Sequence, residues 1–325
     1  MTNRNHIARH YSKWGYIFAI PFALVFLIFH LWPLGSTLYY SVCELKHAGN
    51  TNPIFLPTIG EPIYKNFVEV VKSVSFRDAL RNTFVFWIGA TIPEWILAFW
   101  LAATVTDRRL KIRGRWLFKT AFLLPDLLAS GTATGMIFSS VISVISFVYI
   151  ASMINGFGYT DEDFEFFFSV RFLIIVVYMF MHFGITFIYA VAGITGIPVE
   201  VFEAAEIDGA DRWKTFFHIT VPCMKPIMFF ITVISVIDGL AMVDVPAMFG
   251  IFDSSRKALT LMQYLQNQAF MGSYIYDRAS AASVVLLGFA IIIAGILYFV
   301  FLWDKDEAKA KKLRKKELKA MKKAA

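Results

Sequence analysis

Cysteine is nearly absent. Cys43 and Cys223 are the two in 325 residues, so no disulfide framework of the kind that staples small secreted domains holds this chain. The topology read below puts them on opposite sides of a membrane, which excludes a bond between them and leaves each as a small apolar residue. Charge is scarce as well: Asp, Glu, Lys and Arg supply 17% of the residues, against about a quarter in soluble domains. Three catalytic signatures are missing altogether: the phosphate-cradling G-x-x-x-x-G-K-[ST] loop, the helical H-E-x-x-H zinc pair and the G-x-S-x-G nucleophile elbow. The sequence therefore offers no ATPase, zinc-hydrolase or serine-hydrolase motif of its own, and no cofactor or metal site is read in it. No internal repeat is evident.

What fills the chain instead is apolar. Hydrophobic residues reach 58%, 34 of them Phe, and they gather in runs of about twenty, the length that crosses the hydrocarbon of a bilayer. The fold class expected is an all-α integral membrane protein with about six transmembrane helices. A net charge of +7 suits a nucleic-acid binder in principle. Here the basic residues stand in short segments beside apolar runs, where the preference of Lys and Arg for the cytoplasmic side explains them, so nucleic acid is not read as a partner.

In chain order, residues 1–15 with Arg4, Arg9 and Lys13 read as a cytoplasmic tail. The run Tyr16 to Tyr40 exceeds a signal-peptide core, lacks a small-residue cleavage site, and reads as the first span, kinked near Pro33. Its Trp14, Trp32, Tyr39 and Tyr40 suit the interfacial aromatic belts. Residues 44–81, with Pro53, Pro57 and Pro62, read as an external loop ending in an interfacial helix. A second span is expected from Phe84 to Val105 and a third from Trp116 to Ser139. Between them Arg108, Arg109, Lys111, Arg113 and Arg115 mark a cytoplasmic loop. Residues 141–154, before the acidic run Asp161-Glu162-Asp163, are apolar but short and read as re-entrant or interfacial. Further spans are expected from Arg171 to Ala192, Pro226 to Phe249 and Ala279 to Trp303. An even count leaves both termini inside. The Lys-rich tail, residues 304–325, reads as a helix at anionic headgroups and a topology anchor.

One polar stretch lies between two of these apolar runs. From Ile197-Pro198, residues 199–208 read as a short helix with Glu200, Glu203 and Glu206 on one side. Gly209 suits the left-handed residue that closes it, and Asp211 caps a second helix whose Trp213, Phe216 and Phe217 form an apolar stripe. Within it, Glu203-Ala204-Ala205, then Asp208-Gly209-Ala210, then Ile219-Thr220-Val221-Pro222 closely resemble the EAA loop of ABC importer permeases, in the maltose-transporter branch. Phe76-Arg77-Asp78-Ala79-Leu80-Arg81-Asn82-Thr83 likewise resembles that family's lead into its core.

The resemblance covers residues 67–303, with 16–66 as first span and compact external loop, and implies a type I ABC importer transmembrane domain. It implies that the loop, residues 197–222, is a cytoplasmic coupling element docking on an ATPase through Glu203, Ala204, Ala205, Asp208, Gly209, Ala210 and Pro222. It implies partners: a second homologous permease, two ATP-binding cassette subunits that use ATP and Mg, and an extracellular solute-binding protein. Sugar is the implied cargo, with glycerol phosphodiesters, peptides or other solutes as alternatives. Alignment on the loop brings Ser235, Asp238 and Met242 from one helix and His182, Phe183 and Thr186 from another towards a substrate cavity. Aromatic faces cover the apolar side of a sugar ring, while carboxylate, imidazole and hydroxyl groups bond its hydroxyls.

An ionisable residue at bilayer depth costs about 2.5 to 3.5 kcal/mol on insertion scales and so calls for a partner, a cavity or a function. Glu94, Asp126, Asp238 and Asp244 are the acids at that depth. For Glu94 and Asp126, packing between helices competes evenly with a pathway role; for His182 the ordinary reading is a satisfied packing residue. Asp238 and Asp244, six residues apart in one expected span, fall on different faces. Two rival classes stay open: a secondary transporter using the buried acids as a proton relay, and a membrane-anchored interaction protein that moves no solute.

Overall fold

The computed structural model describes residues 17–45, 52–107, 114, 117, 120–122, 170–250, 256–271 and 274–301. The tails 1–15 and 304–325, most of the basic loop and of the third expected span, the short apolar segment 141–154, Asp126 and the run Asp161-Glu162-Asp163 lie outside them. Among the described residues five helices are long and apolar enough to cross a membrane.

Two compact units form, one from residues 1–77 and 263–288, the other from 78–262 and 289–325. The first opens with α1 (Ile17–Tyr40), whose apolar window buries nothing within the chain. Its α-turns widen to a π-turn at Leu27–Leu31, just before Pro33. Proline has no N–H and crowds the carbonyl four residues back, so a wider turn relieves the conflict where a kink was expected. Strands β1 (Cys43–Glu44) and β2 (Ile54–Phe55) pair antiparallel. The buried Asn66 of α2 (Lys65–Lys72) donates to the carbonyls of Ser41 and Cys43, at 3.0 and 2.8 Å. Burial raises the Cys43 thiol above its ordinary range, opposed by a hydrogen bond with Tyr39, which keeps it an inert thiol. Asp277, in the first turn of α10 (Tyr276–Phe301), accepts from the backbone N–H groups of Leu45 and Arg278, and Arg278 pairs with Glu69 at 2.6 Å.

The second unit is built on α3 (Val74–Thr106), α4 (Val170–Thr195) and α7 (Lys225–Leu240). The expected loop 44–81 holds the separate helix α2, and from Val74 its last residues are continuous with the second expected span as one unbroken α3. Ala90, Ala98 and Ala102 on α3 are fully buried, so small side chains let the helices approach closely. Phe86, Ile174, Val177, Val245 and Phe249 form one core, and Ala98, Ala102, Phe187, Ala190, Met224 and Ile231 belong to a second. Asn82, 1% exposed, donates to the carbonyls of Arg256 and Leu259 and accepts from Arg171, while Thr83 accepts from the N–H of Leu261. The resemblance noted at residues 76–83 thus has a local reason: two buried polar side chains knit the start of α9 (Leu261–Ala269) and the turn before it to α3.

The expected span Pro226 to Phe249 corresponds to the apolar stretch Lys225–Ala247, long enough to cross a membrane, but it is broken. Helix α7 stops at Leu240, and α8 (Asp244–Gly250) begins anew after residues 241–243. Pro246 explains the interruption, since in an unbroken helix its ring would strike the Met242 carbonyl and leave it without a donor. The hydroxyl of Thr260 donates to that carbonyl instead, at 2.8 Å. The phase relation read between Asp238 and Asp244 therefore does not apply: Asp238 sits in the last turns of α7, and Asp244 opens α8.

Candidate functional site: a polar hollow and a helical hairpin

A small polar hollow of ≈ 20 Å³, room for about one water molecule, lies among α3, α4 and α7. Its lining is Glu94 from α3; Tyr178, His182, Ile185, Thr186 and Tyr189 from α4; and Ile231, Ile234, Ser235 and Asp238 from α7. The α4 and α7 residues each recur at the three- and four-residue spacing of one helix face.

Helix packing sets these groups in place. A Cβ built on Gly239 would come within 2.3 Å of Trp87, so glycine there lets the indole lie against α7. Trp87 Nε1 then donates to Ser235 Oγ at 3.0 Å, and Thr91 Oγ1 shares a further 3.0 Å hydrogen bond with the same oxygen. Glu94, 4% exposed, accepts a short hydrogen bond from Thr186. The His182 ring stacks on Tyr178 with centroids 3.9 Å apart, and its Nδ1 lies 3.0 Å from the Tyr178 carbonyl. A carbonyl only accepts, so Nδ1 donates here.

Of the six residues expected near a cavity, His182, Thr186, Ser235 and Asp238 come together here. Phe183 and Met242 do not. Phe183 packs edge-on against Phe122 and stacks on Phe187, while Met242 is buried in the core with Phe86 and Tyr178. Tyr178, Tyr189 and Glu94 were not among the six. The two tyrosines stand four residues before His182 and seven after it, a helical stripe readable in the sequence.

The polar stretch between α4 and α7 folds as a helical hairpin. Helix α5 (Val199–Ile207) follows Pro198, which takes the extended cap position with ψ 140° rather than the first turn. At the other end Gly209, with φ 73°, closes a Schellman motif: its N–H donates to the Glu206 carbonyl, and the Ala210 N–H to the Ala205 carbonyl. Asp211 then caps the next helix, its carboxylate accepting from the Lys214 N–H at 2.7 Å. That helix, α6 (residues 212–223), widens to a π-turn at Phe216–Thr220 just before Pro222, as α1 does before Pro33. Arg212 pairs with Asp107 past the end of α3, at 2.7 Å.

The hairpin's outer surface is unusual for its apolar content. Ile207, Trp213 and Phe217 are 87%, 65% and 56% exposed, Trp213 stacks on Phe217, and Glu200, Glu203 and Glu206 are exposed beside them. Ala204, Asp208 and Pro222 are exposed as well; Ala205 is the buried residue of α5.

A family model described as binding-protein-dependent transport system inner membrane component matches residues 16–303. The chain is 28% identical over 291 residues to the arabinooligosaccharides transport system permease protein AraP of Bacillus subtilis (strain 168), covering 87% of each. It is 27% identical to the lactose transport system permease protein LacF of Rhizobium radiobacter, covering 95% of this chain and 99% of that one. To the sn-glycerol-3-phosphate transport system permease protein UgpA of Salmonella typhimurium (strain LT2) it is 25% identical, over 90% and 96%. Among solved structures, a bacterial ABC transporter involved in the import of the acidic polysaccharide alginate shares the fold with a TM-score of 0.66, at 19% identity, over 92% of this chain and 98% of that one.

Proposed function

The chain belongs to the family of binding-protein-dependent transport system inner membrane components, and on that premise we propose that it is one of two homologous permeases through which an ATP-driven importer takes up a sugar or oligosaccharide. An extracellular binding protein delivers the cargo, and two separate ATPase subunits, using ATP and Mg, supply the work. Relatives named for arabinooligosaccharides and lactose support the sugar class. In this reading the chain has six spans with both termini cytoplasmic, so a cysteine replacing Lys111 labels only after lysis; labelling from outside intact cells would overturn that topology.

One observation carries the coupling. The hairpin with its exposed Ile207, Trp213 and Phe217 joins α4 directly to α7, and those two helices line most of the hollow. An apolar patch rimmed by carboxylates suits docking into a cleft of the ATPase. Motion there then passes along two rigid helices to the cargo, with the turn between α5 and α6 as the joint. The test is ATP hydrolysis by the purified complex in lipid, stimulated by loaded binding protein. Gly209→Val abolishes that stimulation while the permease stays in the membrane; full stimulation with Val at this position means the hairpin is not the coupling element.

A further inference from the structure

None of the described residues that line the hollow is Lys or Arg. Between Arg81 and Arg108, Lys119 and Arg171, Arg171 and Arg212, and Lys225 and Arg256 the sequence contains neither Lys nor Arg. Those intervals hold the membrane-depth parts of α3, α4 and α7, and with them every residue that lines the hollow. The lining instead carries two carboxyl groups, Glu94 and Asp238, with hydroxyls of Tyr178, Thr186, Tyr189 and Ser235. Among the described lining residues His182 is the one nitrogenous group able to become cationic. A phosphate or uronate brought among these groups would leave water, meet two acidic groups and find, among the described lining residues, one imidazole to balance it. A hydroxyl-rich neutral solute finds acceptors and donors, and an ammonium group finds counter-charges.

We propose that Glu94 and Asp238 select against anionic cargo, so that the solute is an uncharged or amino saccharide carrying no uronate or phosphate. This rests on the sugar reading above and narrows it. It sets the chain apart from the relative named for sn-glycerol-3-phosphate and the fold neighbour named for an acidic polysaccharide. In this account the two side chains are specificity-determining: Glu94, bonded by Thr186, lines the hollow from α3, and Asp238 lines it from α7.

The test uses the complete complex in proteoliposomes, with one binding protein throughout. Probes are gluco-, galacto-, xylo- and arabino-oligosaccharides of two to four sugars, each beside a uronate counterpart of equal length. Wild type takes up one or more neutral members and discriminates against the matching uronates. Because the binding protein is the same in every arm, its own selectivity cancels when the uronate-to-neutral ratio is compared between variants. Asp238→Asn raises that ratio by about tenfold, and adding Glu94→Gln raises it further, each replacing a carboxyl group that can carry negative charge by a neutral amide. Should Glu94→Gln fail to accumulate, Asp238→Asn alone decides. A wild-type complex that prefers a uronate overturns the proposal, as does a ratio unmoved in Asp238→Asn while neutral uptake persists. Uptake of no saccharide at all, with ATPase coupling intact, overturns it too by removing the sugar reading beneath it.

Discussion

The turn and caps of the hairpin are made by residues a few positions apart, whereas the hollow takes its walls from three helices far apart in sequence. Pro198, Gly209 and Asp211 stop, turn and restart the chain within 14 residues, each by its own backbone chemistry. The hollow depends on whether Gly239 admits Trp87 and whether Thr186 reaches Glu94. The first region is therefore robust to packing changes and sensitive to backbone ones. The second is the reverse.

The largest effect should come from Gly239→Val. A Cβ there meets Trp87 Cδ1 at 2.3 Å, and the indole cannot retreat without giving up its hydrogen bond to Ser235. Overpacking of this kind costs about 3 kcal/mol. Less protein in the membrane and a lower melting temperature of the complex are expected, alongside lost uptake. Normal abundance and transport would show that the close approach is dispensable. Asn82→Leu comes next. It leaves the carbonyls of Arg256 and Leu259 and the Arg171 guanidinium short of a partner, a loss of about 2 kcal/mol. Thermal unfolding of the purified complex measures it, and a melting point equal to wild type would refute the role given to Asn82.

The same contrast explains what could be read from the sequence. Gly209 at φ 73° and the Asp211 cap were legible because turn and cap chemistry is local, as were the spans, whose apolar length is a property of each run alone. Pro222 was legible as a motif residue, but the π-turn before it was not. The break after Leu240 was missed for a comparable reason: Pro246 hinted at it, yet hydropathy runs on through the gap, and Thr260, which accepts the duty of bonding Met242, is 18 residues away. Of the residues brought together by alignment, His182, Thr186, Ser235 and Asp238 line the hollow and Phe183 and Met242 do not, since which side of a nearly all-apolar helix faces inward is settled by its neighbours. Glu94 was noted for its depth alone; that it meets α4 across the packing is a tertiary fact.

The hairpin can be probed through backbone preference with little change of packing. Nothing lies within 4 Å of a Cβ built at Gly209, so any penalty there comes from the positive φ. Asn tolerates that conformation and Val resists it, which separates them by about 1 to 2 kcal/mol at the turn. Gly209→Asn should keep most of the binding-protein-stimulated ATP hydrolysis that Gly209→Val loses. Equal loss in both would point to a steric contact with the ATPase rather than to the turn.

The smallest expected effect belongs to the ion pair joining the two regions' supports. Arg212 opens α6 and Asp107 follows the end of α3, so the pair ties the hairpin to a helix that also supplies Glu94 to the hollow. The guanidinium side chain is 61% exposed and the carboxylate 19%, so water and salt screen much of the attraction. Exposed pairs of this kind are worth about 0.2 to 1 kcal/mol. Arg212→Ala and Asp107→Ala, singly and together, measure it as a cycle in which other partners of either residue cancel. The coupling energy from thermal unfolding should fall below about 1 kcal/mol and shrink further in high salt. If the hairpin merely hangs from α4 and α7, stimulated ATP hydrolysis will be unchanged in both single variants. If the pair holds the hairpin at its working angle, both variants will lower stimulation to the same degree, and the double variant will lower it no more than either alone. A coupling energy well above 1 kcal/mol would mean that the hairpin is held by tertiary contact as firmly as the hollow is, and the contrast between the two regions would not stand.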